Sequence, residues 1–325
     1  MKFAAWILLA LALATGLQRA GARMPDRRPQ FTGREYVRLS DWARVNQFQT
    51  RRLGDKTLQL SNRLGRVTLT VNSADAQING VGVRLSFPVA LRNGALCVSQ
   101  LDLDKTFGPV FYPPANKPGF KITTICLDAG HGGKDMGEHV GGVEEKKYTL
   151  LLAKELQDQL TRAGFEIVMT RTGDSAVGLP DRTEIARRRK ADLFVALHFN
   201  SSPSDRNAVR GVETYCLTPA GATSSNTQGE GDTRWLSANG NDEKNMQLAF
   251  QLQKSLVRGI GAEDRSVKRA RFQVLREADM PAVLIEGGFL SHPTELKRIL
   301  DPAYRRKMAR AIVDGILAYK RRVKG

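Results

Sequence analysis

The sequence predicts an α/β protein, with a mainly parallel twisted sheet, helices on both faces, and a small β-rich domain in front of it. Three observations predict this. Beyond residue 120, strand-like apolar runs alternate with helical patterns, the order of a mainly parallel sheet covered on both sides. Before residue 113 the apolar stretches are short, such as "GRVTLTVN" and "VGVRLSFPV" separated by "SADAQING", which is the spacing of a small β module. Between the two regions "FYPPANKPGF" interrupts both patterns with three prolines and a glycine.

The elements follow in order. Residues 1–22 begin with one Lys, run apolar from Phe3 to Ala14 and close on Ala20-Gly21-Ala22, which reads as a cleavable secretory signal. The apolar run is shorter than the roughly 20 residues that span a bilayer. No later stretch is apolar enough to span, so the chain is expected to be exported to the periplasm or cell envelope without a transmembrane segment after cleavage. Residues 23–32 read as a linker, 33–112 as the β-rich domain, 113–120 as a second linker and 121–325 as the main domain. A chain of 325 residues, 41% hydrophobic, has enough apolar content for both.

In the main domain "KITTICLD" predicts a strand. "EEKKYTLLLAKELQDQLTRAG" predicts a helix with Tyr148, Leu152, Leu156 and Leu160 on one face and a stop at Gly164. "FEIVMTR" is a strand, "PDRTEIARRRKA" a helix, "DLFVALH" and "GVETYCL" strands, and "EKNMQLAFQLQKSLVRG" a helix. After "RFQVLR" and "PAVLIE" the chain ends in the helical "PAYRRKMARAIVDGILAYKRR".

Composition narrows the function. Cys97, Cys126 and Cys216 are too few and too scattered for a disulfide framework, and each lies in an apolar stretch, so buried thiols are expected. The net charge of +17 suits an anionic partner. Its basic clusters lie far apart without interleaved aromatics, which argues against a nucleic-acid site.

Open α/β sheets bind ligands beyond the carboxyl ends of their strands. Three predicted strands end there on reactive side chains: "ITTICLDAGH" at His131, "LFVALH" at His198 and "AVLIE" at Glu286. Two of the four histidines in the chain thus sit at strand exits. His and Glu recur in catalytic zinc sites, which have three protein ligands and an open position. Glu144 and Glu145 are both placed to supply the third ligand, and spacing alone does not choose between them. Asp128 is placed either to orient a ligand imidazole or to cap the turn.

"LDAGHGGKDMG", "GVEEKKYTLLLAKEL", "LPDRTEIARRRKADLFVALHFNS", "GVETYCL" and "MPAVLIEGGFLSHPTEL" resemble, in this order, segments of the zinc-dependent N-acetylmuramoyl-L-alanine amidases of bacterial cell walls. The resemblance covers about residues 121–320. It implies a single Zn2+ ion held by His131, Glu145 and His198, with Glu286 as the catalytic glutamate. It implies peptidoglycan as substrate, cleaved at the amide between the lactyl group of N-acetylmuramic acid and L-alanine. Arg182 matches a recurrent arginine of the family and is assigned to a stem-peptide carboxylate, with Asn200 also assigned to substrate. The family commonly has Asn at the positions of His292 and Arg187, and His139 has no counterpart in it. The segment "INGVGVRLSFPVALRNG" resembles the N-terminal module of copper amine oxidases. Rival readings are a zinc carboxypeptidase-like amidohydrolase and a non-catalytic wall-binding protein.

Residues 218–243 form a connection far longer than the 2 to 6 residues usual between such elements. Its only large apolar residues are Trp235 and Leu236. A disordered insertion is one reading; the expectation taken forward is a flap on the metal-site edge with Trp235 touching substrate or the cleft rim. It contains no stretch able to form an inhibitory helix, so activity is expected without an activator, and the sequence names no activator protein.

Overall fold

The computed structural model describes residues 30–31, 34–202, 204–205, 207–225 and 233–324. The predicted signal (1–22) and most of the predicted linker (23–32) lie outside the described residues. Among the described residues no helix is long and apolar enough to cross a membrane.

The N-terminal region runs β1 (Gln30–Phe31), β2 (Arg34–Arg38), α1 (Leu39–Val45), β3 (Gln49–Arg52), β4 (Thr57–Asn62), β5 (Gly65–Thr70), β6 (Asp75–Ile78), β7 (Val81–Arg84), β8 (Ala90–Arg92) and β9 (Ala95–Ser99). It ends in α2 (Gln100–Asp102), a π-helical turn (Leu103–Phe107) and α3 (Gly108–Phe111). "SADAQING", expected to be only a separator, contains β6. Ala76 and Ile78 face inward there, while Asp75 and Gln77 face out. Asn79 and Gly80, both at positive φ (53° and 77°), turn the chain back into β7. This is the Asn-Gly hairpin chemistry that matches the twist of paired strands.

The remainder comprises β10 (Thr124–Ala129), β11 (His139–Val140), β12 (Val143–Glu144), α4 (Glu145–Arg162), β13 (Glu166–Met169), α5 (Leu179–Arg188), β14 (Leu193–Asn200) and β15 (Val212–Leu217). After a 3-10 turn (Ser237–Asn241) follow α6 (Asp242–Ile260), β16 (Asp264–Ala270), α7 (Gln273–Arg276), β17 (Ala282–Phe289), α8 (Pro293–Leu300) and α9 (Pro302–Arg322). "RFQVLR" holds α7, and the strand lies just before it in "DRSVKRA". Cys97, Cys126 and Cys216 are buried free thiols, and burial pushes the Cys216 thiol up to about 11.

The α/β class holds, but the sheet is mixed rather than mainly parallel. The order in the largest sheet is β13-β10-β14-β17-β15-β16-β7-β6-β5-β4-β3. Of its ten pairings five are parallel and five antiparallel. The pairings of the other two sheets are all antiparallel and give that direction the majority. Within the amidase-like region the reversal occurs at β15, which lies antiparallel to β17. A parallel return needs a crossover, usually a helix. Among the described residues of 201–211 there is no helix, and the chain leaving β14 comes back in the opposite direction.

Side-chain alternation divides the sheet into two faces. On one face Leu193, Val195, Leu197 and Phe199 of β14 and Val283 and Ile285 of β17 pack in one core. α4 and α6, each packed on α9, bring with it Leu152, Leu156, Leu248, Leu252, Ile312 and Ile316 into that core. On the other face Phe194, Ala196, Tyr215, Leu284, Val274 and Ala186 form a second core with α5 and α7. Both faces being covered, β14 reads as an unbroken apolar run. The first core continues into the N-terminal strands through Val67, Leu69, Ile78 and Val83. β7 pairs with β16 through Val83 and Val267, and Asp264 accepts the Gly82 N–H at 2.7 Å.

Candidate active site

β10, β14 and β17 run in parallel, so their carboxyl ends share one edge. On β14 the residues pointing to the second face are Phe194, Ala196 and then His198. His198 therefore continues that face of the strand, at the point where the covering elements end and a cleft begins. On β17 the same alternation carries Ala282 and Leu284 to Glu286, the register partner of His198. His131 is held by the loop after β10 and Glu145 by the first residue of α4.

These residues converge. His131 Nε2 lies 3.0 Å from Glu145 Oε2, and His198 Nδ1 lies 3.0 Å from Glu145 Oε1. The two imidazole centroids are 4.8 Å apart. One ligand atom from each of the three side chains falls within 4.8 Å of the others. Glu144, the other candidate of the pair, points away and sits 3.4 Å from Lys146 Nζ. Glu145 is buried and accepts the N–H groups of Phe199 at 3.0 Å and Glu138 at 2.9 Å. Burial alone would raise its pKa, but the hydrogen bonds and charges of His131 and His198 hold the carboxyl well below the usual range. Two imidazole nitrogens and a carboxylate oxygen are the donor set of a catalytic zinc site, and the arrangement fits such an ion.

The backbone is shaped for this packing. His131 has φ of 64°, a left-handed conformation uncommon outside glycine and typical of functional strain. Gly137, at φ of 66°, lies so close that a Cβ would come within 2.6 Å of both His131 Cδ2 and Glu145 Oε2. A Cβ on Gly130 would collide with the His198 ring.

Glu286 stands beside the cluster with Oε2 enclosed and bonded to nothing among the described residues. Burial first, then the charges of Glu145, Glu213 and Glu138, raise its pKa well above the ordinary value. An orphaned buried carboxylate oxygen is rare enough to call for a functional account. Glu286, His131, His198 and Glu145 line a cleft of about 340 Å³, and Leu179, Phe272, Val274 and Leu284 give it an apolar wall.

The remaining expectations fare unevenly. Asn200 lines the cleft. Arg182 is buried and engaged: its Nη1 meets Asp128 Oδ1 at 2.6 Å, and its guanidinium also donates to the carbonyls of Ala129, His131 and Val177. It clamps the His131 loop through four of its five N–H donors. Asp128 bonds neither imidazole among the described residues: Oδ1 accepts from Arg182 and Thr170, and Oδ2 bonds nothing. Asp135 takes the orienting position, its Oδ2 2.8 Å from His131 Nδ1. Arg171 adds a second clamp, donating to the carbonyls of Ala129, Gly130 and Lys146. His292 is buried and caps α8, Arg187 pairs with Glu184, and His139 is exposed.

Trp235 is not among the residues that line the cleft, although the carbonyl of its neighbour Arg234 accepts from Arg271, next to cleft-lining Phe272. Because β15 runs against β17, residues 218–243 leave from the opposite sheet edge, and Trp235 is 66% exposed there. Residues 226–232 of the expected flap lie outside the described residues.

Two variants check this account of the loop. Asp135→Asn should weaken metal binding by about 10- to 100-fold in a zinc competition titration, since the partner of a ligand imidazole fixes its tautomer. Arg182→Ala should destabilise the fold by about 3–5 kcal/mol in urea unfolding, because it leaves Asp128 charged and unpaired in the interior. A normal unfolding midpoint with raised KM would return Arg182 to substrate binding.

A sheet edge that presents a His-Glu-His donor set beside an enclosed glutamate has the makeup of a metal-dependent hydrolase. Comparison with known proteins gives the particular family. Residues 125–318 match the family described as N-acetylmuramoyl-L-alanine amidase, and the chain belongs to it. It is 33% identical over 198 residues to N-acetylmuramoyl-L-alanine amidase LytC of Bacillus subtilis, covering 61% of this chain and 36% of that protein. It is 34% identical over 259 residues to AmiC of Neisseria meningitidis, covering 71% and 61%. The crystal structure of N-acetylmuramoyl-L-alanine amidase from Clostridium difficile 630 superposes with a TM-score of 0.52 at 31% identity, covering 62% of this chain and 97% of that one. The chain thus spans 36% and 61% of the length of these two sequence relatives, less than two thirds of either.

Proposed function

We propose that the protein is an exported zinc-dependent hydrolase that cleaves the amide joining the lactyl group of N-acetylmuramic acid to L-alanine in peptidoglycan. The observation that carries this reading is the unpartnered Glu286 Oε2 beside the His131, Glu145 and His198 cluster in an open cleft. Membership of the amidase family supports the choice of bond.

His131, Glu145 and His198 would hold the zinc ion. When bound, it supplies a Lewis acid for the amide carbonyl and makes water acidic enough to attack near neutral pH. The rest of the chemistry falls to the chain. Glu286 Oε2 takes a proton from the attacking water and returns it to the departing L-alanine nitrogen, a role worth about 10²- to 10⁴-fold in rate. Asp135 keeps the proton of His131 on Nδ1 and leaves Nε2 facing the cluster. Arg182 and Arg171 fix the loop so that the donor atoms need no rearrangement before reaction. The apolar wall of Leu179, Phe272, Val274 and Leu284 limits water beside the reacting bond.

Digestion of purified sacculi with product analysis tests the proposal. Release of intact stem peptides with a free N-terminal L-alanine is expected. Release of single terminal D-alanine residues would assign a carboxypeptidase instead, and retention on sacculi without products would assign a wall-binding role.

A further inference from the structure

The face of the sheet that carries Glu286 carries a second set of charges on the next two strands, β15 and β16. Glu213 of β15 stands opposite Glu286 in antiparallel register and is 2% exposed. Its Oε1 accepts from Arg265 Nε and from Lys268 Nζ, each at 2.7 Å. Its Oε2 accepts from the Tyr215 hydroxyl at 2.8 Å and from Asn200 Nδ2 at 3.4 Å. These contacts and the two cations hold the Glu213 carboxyl below the usual range despite burial, which acts in the opposite sense.

One cation would neutralise this carboxylate, and two are present. Glu213, Arg265 and Lys268 taken together carry one positive charge, which faces Glu286 as well as the cleft, and both cations reach solvent, with side chains 29% and 23% exposed. Lys268 has three N–H donors and spends one on Glu213. Arg265 rests its guanidinium 5.0 Å from the Phe289 ring centroid, and its two Nη groups have no hydrogen-bond partner among the described residues. Asn200 ties the set to the cleft, which it lines beside Glu286.

We propose that Lys268 and Arg265, fixed by Glu213, form the subsite that receives a carboxylate of the substrate. The proposal rests on the amidase reading and names what the cleft recognises beyond the scissile bond. Strand spacing indicates which carboxylate. Lys268 and Arg265 stand on β16 but reach back to Glu213 on β15, which places their charged groups two strand spacings from β14 and its His198, roughly 10 Å at about 4.8 Å each. An extended peptide advances about 3.3–3.6 Å per residue, so the carboxylate belongs to the second or third residue beyond the scissile amide. Arg182, the residue expected from sequence to meet it, is buried and occupied.

The test compares two soluble substrates on the zinc-loaded full chain: a muramoyl peptide with free carboxylates at its second and third residues, and the same molecule with both as carboxamides. Amidation should lower kcat/KM on the order of 10-fold, mainly through KM, as expected for loss of a charge-assisted contact. Lys268→Met should remove that preference by weakening only the free-acid substrate, and Lys268→Arg should keep it. Because losing a cation unbalances buried Glu213, the uncharged Glu213→Gln/Lys268→Met/Arg265→Gln variant serves as a second check and should also lose the preference. Equal cleavage of the two substrates by the unmodified protein, or a full preference retained by Lys268→Met, overturns the subsite and leaves the amidase reading intact. Cleavage of neither substrate fails the amidase reading itself, and the subsite with it.

Discussion

Glu286→Gln should abolish hydrolysis, with a fall of about 10²- to 10⁴-fold or more in kcat, while zinc remains bound at full stoichiometry. The amide keeps the shape of the side chain and cannot take the proton from water. The same variant should make the metal-free protein more stable by about 1 kcal/mol, or roughly 2 °C in melting midpoint. Burial first, then the charges of Glu145 and Glu213, raise the Glu286 pKa, so a neutral amide in its place removes the cost of ionising a carboxyl there. Activity and calorimetry on one preparation read both effects. Loss of zinc from the variant would show that Glu286 is a ligand, and the proton-transfer role would fall.

The second large effect is expected at the donor set. His198→Ala and His131→Ala should each eliminate both bound zinc and turnover, with the circular dichroism spectrum unchanged, because the sheet is held by apolar layers on both faces. Chelator-treated protein should behave in the same way and recover on addition of zinc. The two positions should differ in stability. His131 occupies a left-handed backbone conformation, so His131→Gly should be more stable than His131→Ala by about 1 kcal/mol. No such difference is expected at His198, in regular strand. Full metal content and turnover in either alanine variant would misplace the centre.

How much of this was legible follows from the kind of information each residue carries. The strand ending at His198 was plain because burial on both faces removes every polar residue until the site is reached. The helix opening at Glu145 was plain from its apolar spacing, and the glycines around His131 marked a tight loop. The direction of β15 was not legible, because "GVETYCL" has the composition of a buried strand whichever way it runs. Direction depends on whether the preceding link holds a helix. The sheet edge expected for residues 218–243 followed from that direction. β6 and β16 were passed over because both are rich in polar residues whose partners lie elsewhere: Asp75 pairs with Arg84, and Arg265 and Lys268 pair with Glu213. Arg182 and Asp128 could not be matched in advance, since nothing local indicates that residues 54 positions apart share a hydrogen bond. Asp135 did leave a signal, a carboxylate four residues after a candidate ligand histidine.

The pairing of β7 with β16 means that the two regions of the chain protect each other from self-association. A catalytic half produced alone would end its sheet at β16, with the backbone groups around Val267 unpaired and the apolar surface beneath α6 uncovered where Val83 and Phe107 now pack. An open strand edge beside bare apolar surface is a template for another copy of itself. The N-terminal strands close that edge and pass the exposed position along a meander to β3, whose four residues Gln49–Arg52 are all solvent-facing and end in two arginines. Charge on a terminal strand repels a like neighbour, so the place where the sheet stops is also the place least suited to continue it into an aggregate.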